Sequence, residues 1–326
     1  MYPKFFVNLG PKKLSSFKLL FDFETSGLSD ETQFENFISL NNKYKSNRSL
    51  SFVYENYDFQ TDISEVTLVV SKNDENKFTK HKKLIKVNNV HETVAILSNQ
   101  FYRDFNNTEE NLLPEPSIGD NCEISEKANI KKGCVIGSNS IIKDGVIIDN
   151  NCIIGDNSLI EENSIISNSI LGDNIRVGRN SSIGQIGFGF AIHETNNKKI
   201  FHIGRVILQS NVNIGSNCCI DRGSFDDTII GENTYLDNMC HVAHNVRIGR
   251  NCIFAAMCGI AGSTIIGDNV MAGGQTGISG HITIGSNVLI SAKSAVFKDL
   301  KNNSSVMGNP AIDKFKYIRK YKKIYE

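Results

Sequence analysis

The sequence predicts a mainly β protein whose body is a left-handed parallel β-helix, with a small α/β domain before it and one helix after it. Three observations carry this. From residue 118 an aliphatic side chain returns every six residues; the position four after it stays small; and both patterns are missing from residues 1–112. A period of six fits neither the 3.6 of an α-helix nor the 2.0 of an ordinary strand. Repetition at a fixed short period is the mark of a solenoid. Each hexad supplies a short strand and a corner, and three hexads close one three-sided coil of 18 residues.

The aliphatic run extends from Ile118 to Ile166 without a break, then slips by one residue to Leu171, Val177 and Ile183. It resumes after a long insertion at Leu208, Ile214 and Ile220, and after a four-residue insertion continues from Ile230 to Val296, giving 27 hexads. Nine coils at about 4.8 Å spacing make a prism roughly 43 Å long. Each inward aliphatic contributes about 1.5–3 kcal/mol on burial. Conformational entropy offsets most of that sum, so the coils depend on sharing one core with their neighbours. The residue after the aliphatic is often glycine (Gly119, Gly137, Gly155, Gly249, Gly267), and glycine or asparagine suits a corner that needs positive φ. Seven of the eight cysteines (Cys122, Cys134, Cys152, Cys218, Cys240, Cys252, Cys258) fall in the small slot four after the aliphatic. They read as buried thiols rather than metal ligands or disulfides.

Residues 1–112 read as a separate α/β domain. Strand-like runs lie at 51–54, 66–70 and 83–87, and 91–105 reads as a helix with Val94, Leu97, Phe101 and Phe105 on one face. Pro114 and Pro116 mark the junction. The β-helix then occupies 113–300, and 301–326 forms a basic tail. Within the tail, 313–326 reads as a helix with an apolar stripe of Tyr317, Ile318, Tyr321, Ile324 and Tyr325. Lys314, Lys316, Arg319, Lys320, Lys322 and Lys323 make the rest basic. Such a helix either packs on the prism or docks an acidic partner.

The 35 basic and 35 acidic residues balance, which argues against a nucleic-acid or anionic-membrane surface. No apolar run approaches the roughly 18 residues of a membrane span, and the first residues lack the apolar stretch of a signal peptide. A cytoplasmic protein with at most peripheral membrane contact is expected.

A closed apolar prism leaves catalysis to outward side chains. Of seven histidines, His244 stands out by register: Gly262 follows it by one coil, and Gly280 with His281 by two. An imidazole beside bare glycine backbone either suits acyl transfer, with a neutral base to take a proton and an amide to hold an oxyanion, or is a surface histidine beside two turn glycines. Asp237, next to Asn238 at a corner seven residues before His244, could orient the imidazole or be a solvated corner residue. GQIGFGFA (184–191) is rich in glycine but opens no helix, so it is a poor dinucleotide loop. Asp221, Asp226 and Asp227 could hold a cation, although DRGSFDD reads better as a salt-bridged corner.

The segments GFGFA, KIFHIGRV, IGSNCCIDRGSFDDTIIG, LDNMCHVAHNVRIG, GIAGSTIIG and GGQTGISGHITIG, in that order, resemble the UDP-3-O-(3-hydroxyacyl)glucosamine N-acyltransferases of lipid A biosynthesis over about residues 115–310. The resemblance implies a homotrimer with sites between neighbouring prisms. It also implies transfer of a 3-hydroxyacyl chain from acyl carrier protein to the 2-amino group of a UDP-linked acylglucosamine. No cofactor or metal is bound, since the phosphopantetheine thioester arrives on the carrier. It makes His244 catalytic and Gly262 the oxyanion donor, matches Asp237 and Asn238 to the family's Asp-Asn pair, and makes His281 a contact to substrate. It implies uridine recognition by the first domain, with Phe52, Asn56 and Phe59 as counterparts, and carrier docking by Lys316, Arg319, Lys320 and Lys323. Three other readings compete: a CoA-dependent sugar acetyltransferase on the same fold, a zinc carbonic anhydrase using His241, His244 and His281, and a non-catalytic sugar-nucleotide scaffold.

Overall fold

The computed structural model describes residues 5–42, 44–54, 63, 65–192 and 196–325, with side chains as far as Lys323. It divides into two compact units. One comprises Met1–Phe5, Asn106–Phe188 and Gly204–Glu326, and the other Phe6–Phe105 with Gly189–Ile203.

The larger unit is the solenoid. Its two-residue strands stack in parallel into three sheets. Face I holds nine strands from Ser117–Ile118 to Thr283–Ile284, and face III nine from Asn129–Ile130 to Ala295–Val296. Face II runs from Glu123–Ile124 to Leu289–Ile290 and gains Ser305–Met307 in parallel and Ile312–Asp313 in antiparallel, eleven strands in all. The slip seen in the sequence is a coil of 17 residues, with Ile154 beside Leu171. The long insertion is absorbed between Leu171 and its neighbour Leu208. Inward aliphatics such as Ile136, Ile160, Val242 and Ile290 are buried, whereas Ile118 in the first coil is exposed because no coil lies beneath it. Six of the seven cysteines in the small slot are buried, and Cys122, in the first coil, is only half-buried.

The corner chemistry differs from expectation. Of the glycines directly after the aliphatic, only Gly184 takes positive φ, at 85°. It is usually the third residue that does: Asn139 at 58°, Asn157 at 56°, and glycine there only at Gly133 and Gly145. Asparagine tolerates this region better than other side chains. Glycine after the aliphatic serves close stacking instead. A Cβ on Gly137 would stand 2.5 Å from the main chain of Gly155 and Asp156 in the next coil.

The smaller unit has a five-stranded sheet containing Ser49–Phe52, Thr67–Ser71 and Leu84–Val87, close to the strands read from sequence. Helix α1 covers Val90–Phe101 and buries Val94, Leu97 and Phe101. It stops four residues earlier than expected, and Phe105 lies beyond it. Tyr102 turns extended and its hydroxyl donates to the Phe37 carbonyl at 2.8 Å. The short helix α2, Asn107–Asn111, belongs to the larger unit and is closed by a capping box between Asn106 and Glu109.

The units also depart from the expected linear order. Part of the insertion, Gly189–Ile203, belongs with the first unit: Phe201 N–H donates to Ser98 Oγ at 3.0 Å, Asn99 Nδ2 to the Lys199 carbonyl at 2.8 Å, and Lys198 pairs with Glu92 at 2.7 Å. The boundary lies at Phe105 rather than 112. The tail is not a separate domain, because Ser305–Met307 continues face II past residue 300. Helix α3 follows at Lys314–Tyr325, started by Asp313 Oδ1, which accepts from the amides of Phe315 and Lys316. No helix among the described residues is long and apolar enough to cross a membrane.

Candidate active site

Each strand of the solenoid ends in a corner, so three edges run along the prism. His244 follows His241–Val242 on face III and stands on the edge leading to face I. Gly262 and Gly280 follow the next two strands of face III and occupy the same slot. The imidazole lies flat against Gly262. A Cβ there would sit 2.7 Å from Cε1, 2.9 Å from Nε2 and 3.2 Å from Nδ1. His281 is one residue past Gly280, exposed, with φ 59°, and its N–H donates to the Gly262 carbonyl at 3.1 Å. The register thus brings His244, Gly262 and His281 together.

The amide of Gly262 donates no hydrogen bond among the described residues. The reason lies one coil away. On the edge between faces I and II, a side chain one coil further on caps most of the equivalent amides. Ser138 N–H donates to Asp156 Oδ1 at 2.7 Å, Arg250 N–H to Asp268 Oδ1 at 2.8 Å, Asp268 N–H to Ser286 Oγ at 3.1 Å and Ser286 N–H to Asn302 Oδ1 at 2.9 Å. For Gly262 that capping position is Gly280, which has no side chain to offer. The pair of glycines therefore leaves room for the imidazole and leaves a donor beside it.

Asp237 does not orient His244 within the chain. It follows Tyr235–Leu236 on face II and stands on the edge toward face III, a different corner from His244. Its Oδ1 accepts from the Asn238 amide at 2.7 Å and from Asn238 Nδ2 at 3.0 Å, and Asn238 Oδ1 caps the Ser216 amide at 2.8 Å. Both residues line a groove of about 440 Å³ on face II with Arg176, Tyr235 and Ile253. Seven residues is one hexad plus one, which carries the chain past a full face.

The carboxylate nearest the imidazoles is Asp221, which ends the face III strand Cys219–Arg222. Cys219 pairs with His241 and Ile220 with Val242, so Asp221 aligns with Ala243. It is buried, and Oδ2 lies 3.6 Å from His241 Nε2. Gly187 passes beside both groups: a Cβ on it would come within 2.9 Å of His244 Cβ and 3.2 Å of Asp221 Oδ2. Burial pushes the His244 pKa below the ordinary 6.5, against the opposing influence of the Asp221 charge and a hydrogen bond to the Phe188 main chain. The ring is accordingly neutral at pH 7. Burial also raises the Asp221 carboxyl, opposed by His241 and by a hydrogen bond from Gln185. Asp221 was reachable from the sequence by carrying the register through the four-residue insertion, which makes its coil 22 residues long rather than 18. The rest of DRGSFDD is the salt-bridged corner expected, with Arg205 Nη2 2.6 Å from Asp227 Oδ2 and Nε 3.0 Å from Oδ1.

The remaining candidates lie elsewhere. Phe52 ends a strand of the smaller unit, its ring 5.3 Å from Phe37 and 5.0 Å from Tyr54. Tyr54 stacks on His91 at 4.1 Å, an aromatic pair that no sequence motif marked. Asn56 and Phe59 fall outside the described residues. Lys316, Arg319, Lys320 and Lys323 are exposed on α3, where Tyr317 and Tyr321 stack at 4.6 Å. His81 is committed to the Val66 carbonyl at 2.8 Å, and buried His202 packs against bare Gly189. Among the described residues no group of three or more His, Cys, Asp or Glu is arranged to hold a metal ion.

Comparison with known proteins agrees with the fold and narrows the chemistry. A family model described as bacterial transferase hexapeptide (six repeats) matches residues 227–262, and one described as GMPPB C-terminal domain matches residues 112–224. A UDP-3-O-acylglucosamine N-acyltransferase of Caulobacter vibrioides is 54% identical over 66 residues, 20% of each chain. Its namesake in Rhizobium rhizogenes is 58% identical over 66 residues, 20% of this chain and 19% of the relative. These matches span about a fifth of either protein. Among solved structures, UDP-N-acetylglucosamine acyltransferase from Campylobacter jejuni aligns at TM-score 0.53 and 25% identity, over 61% of this chain and 82% of that one. The Arabidopsis enzyme of the same name aligns at 0.56 and 22%, over 64% and 74%, a likeness of fold alone. The solenoid is the left-handed β-helix of these proteins.

Proposed function

We propose that the chain is an N-acyltransferase that moves a 3-hydroxyacyl group from acyl carrier protein to the 2-amino group of UDP-3-O-(3-hydroxyacyl)-glucosamine, giving a UDP-2,3-diacylglucosamine. One observation carries the reading: a neutral, half-buried imidazole, His244, lies against the uncapped amide of Gly262. The N-acyltransferase names of the relatives matched over 66 residues support it.

In this mechanism the sugar amine attacks the thioester carbonyl carbon and gives its proton to His244. Gly262 N–H donates to the oxygen that becomes negative. The tetrahedral intermediate collapses with loss of the thiolate, which takes the proton back from the imidazolium. A positioned base is worth about 10²–10⁴-fold and an oxyanion donor about 10²–10³-fold. The carrier supplies the phosphopantetheine, so the chain needs no bound cofactor.

His281, beside the base, contacts the substrate or the carrier arm. Asp237 and Asn238 stand on another edge, so a homotrimer with prisms side by side is needed to bring them to the His244 of a neighbour. There they would bind the sugar. Phe52, with Asn56 and Phe59, holds the uridine ring. The cations of α3, Lys316, Arg319, Lys320 and Lys323, attract the acidic carrier protein. These substrates are those of the cytoplasm, where the reading places the enzyme.

The test is turnover by His244→Ala with UDP-3-O-acylglucosamine and an acyl-carrier thioester, the product weighed by mass spectrometry. A loss of about 10²–10⁴-fold is expected, with acetyl-CoA inert as donor. Turnover near that of the unmodified protein would remove the proposal.

A further inference from the structure

We propose that Asp221, rather than any residue at the Asp237 corner, is the intrachain positioning residue for the His244 base. The proposal rests on the acyl-transfer reading for its catalytic consequence, but its structural half stands apart from that reading.

Four features of the corner support it. Asp221 is only 5% exposed, and two imidazoles lie around it: His241, 3.6 Å from Oδ2, and His244, in the slot next to Ala243, with which Asp221 aligns. A buried carboxylate with cations or potential cations around it is an unusual expense unless its charge is used. Its second oxygen is fixed, since Gln185 Nε2 donates to Oδ1 at 2.8 Å, and Gln185 Oε1 in turn accepts from the Ser182 hydroxyl. This chain of bonds sets the orientation of the carboxylate from behind. Gly187 is bare where the chain passes both groups, and any larger residue would push Asp221 and His244 apart. The coil from Ile220 to Val242 is 22 residues long; its extra residues loop out beyond Asp221, and the stacking of Ile220 on Val242 keeps Asp221 beside Ala243, one residue from the base.

The chemical consequence concerns the proton. When His244 takes the proton of the attacking amine it becomes imidazolium in a half-buried site, where burial opposes the charge. The Asp221 carboxylate supplies the counter-charge. The proton moves only from amine to imidazole and from imidazolium to departing thiolate. Asp221 thus stabilises the intermediate charge without touching substrate.

The experiment uses the full-length protein and Asp221→Asn, which keeps an acceptor for Gln185 and removes the charge. His244 is followed by ring-proton NMR titration, with His241→Gln and His281→Gln in the background to separate the three imidazoles that face one another here. The His244 pKa is expected to fall, because its stabilising anion is gone. In steady-state assays kcat should drop by about 10–10²-fold with KM little changed, and the acid limb of the rate profile should move to lower pH. Gln185→Ala keeps the charge and loosens its orientation, so it should lower kcat less and leave the NMR pKa nearly in place. An unmoved His244 titration in Asp221→Asn overturns the inference whatever the substrate. So does a moved titration with unchanged kcat. If the unmodified protein fails to acylate the sugar amine, the acyl-transfer reading falls while the titration still decides the Asp221–His244 pairing. Should Asp221→Asn not fold, Asp221→Ser takes its place under the same criteria.

Discussion

Two edges of the same prism share one backbone path and have opposite chemistry. Between faces I and II, most corner amides are closed by an Asp, Ser or Asn one coil further on, as at Ser138, Arg250 and Ser286. Between faces III and I, glycines at 262 and 280 leave the Gly262 amide uncapped and seat the His244 ring over it. The I–II edge is thus closed at the corners named, whereas at Gly262 bare backbone gives an imidazole room beside an open amide. A reactive site here costs the fold little, because an uncapped amide at a half-buried corner can still bond water.

The sharpest way to break this contrast is to refill the open edge. Gly262→Ala would place a methyl 2.7 Å from His244 Cε1, displacing the ring and shielding the amide. Activity should fall by at least about 10²–10³-fold, the worth of an oxyanion donor, while circular dichroism still reports the β-helix. Undiminished kcat would mean that this edge is not the site.

A gentler change converts the open edge to the closed type. Gly280→Ser adds a hydroxyl one coil from the Gly262 amide, as Ser286 stands to Asp268; its Cβ would lie 2.9 Å from the Gly262 carbonyl oxygen, so the corner must shift to take it. Loss of up to about 10²-fold is expected, measured as kcat with KM as control. A variant with full activity would show that capping does not matter.

The same comparison predicts a pH profile. The base must be neutral, and burial holds the His244 pKa below its ordinary 6.5. The rate should thus be level through neutral pH and fall only as pH drops through that lowered value. A decline already complete at pH 7 would contradict the burial argument.

The smallest effect belongs to the closed edge. Asp268→Ala uncaps the Arg250 amide and removes an exposed pairing with Arg250 at 3.3 Å. The exposed ion pair is worth little, so about 1 kcal/mol is expected from the lost hydrogen bond. A lowered thermal midpoint with unchanged kcat would confirm that the two edges do different jobs.

Particular residues show where reading the sequence succeeded. The six-residue rhythm places every inward aliphatic from Ile118 to Val296 on its face, because stacking in register leaves no freedom once the period is kept. It likewise puts Gly262 beside His244. Most glycines after the aliphatics admit the neighbouring coil, and it is usually asparagine two residues later that takes the positive φ. Helix α1 was overextended because Phe105 fits its apolar stripe, yet Tyr102 is held extended by Phe37.

What the sequence determined by itself is whatever depends on counting: the period, the coil length, the faces and the column that joins residues 244, 262 and 280. The tertiary structure alone decided what depends on how insertions are absorbed. Only the folded chain shows that Gln185 and bare Gly187 meet Asp221, and that Gly189–Ile203 joins the smaller unit. Asp237, seven residues from His244, belongs to another edge. The physical reason is that a regular repeat turns sequence separation into position, whereas an insertion breaks that rule and its path is chosen by packing.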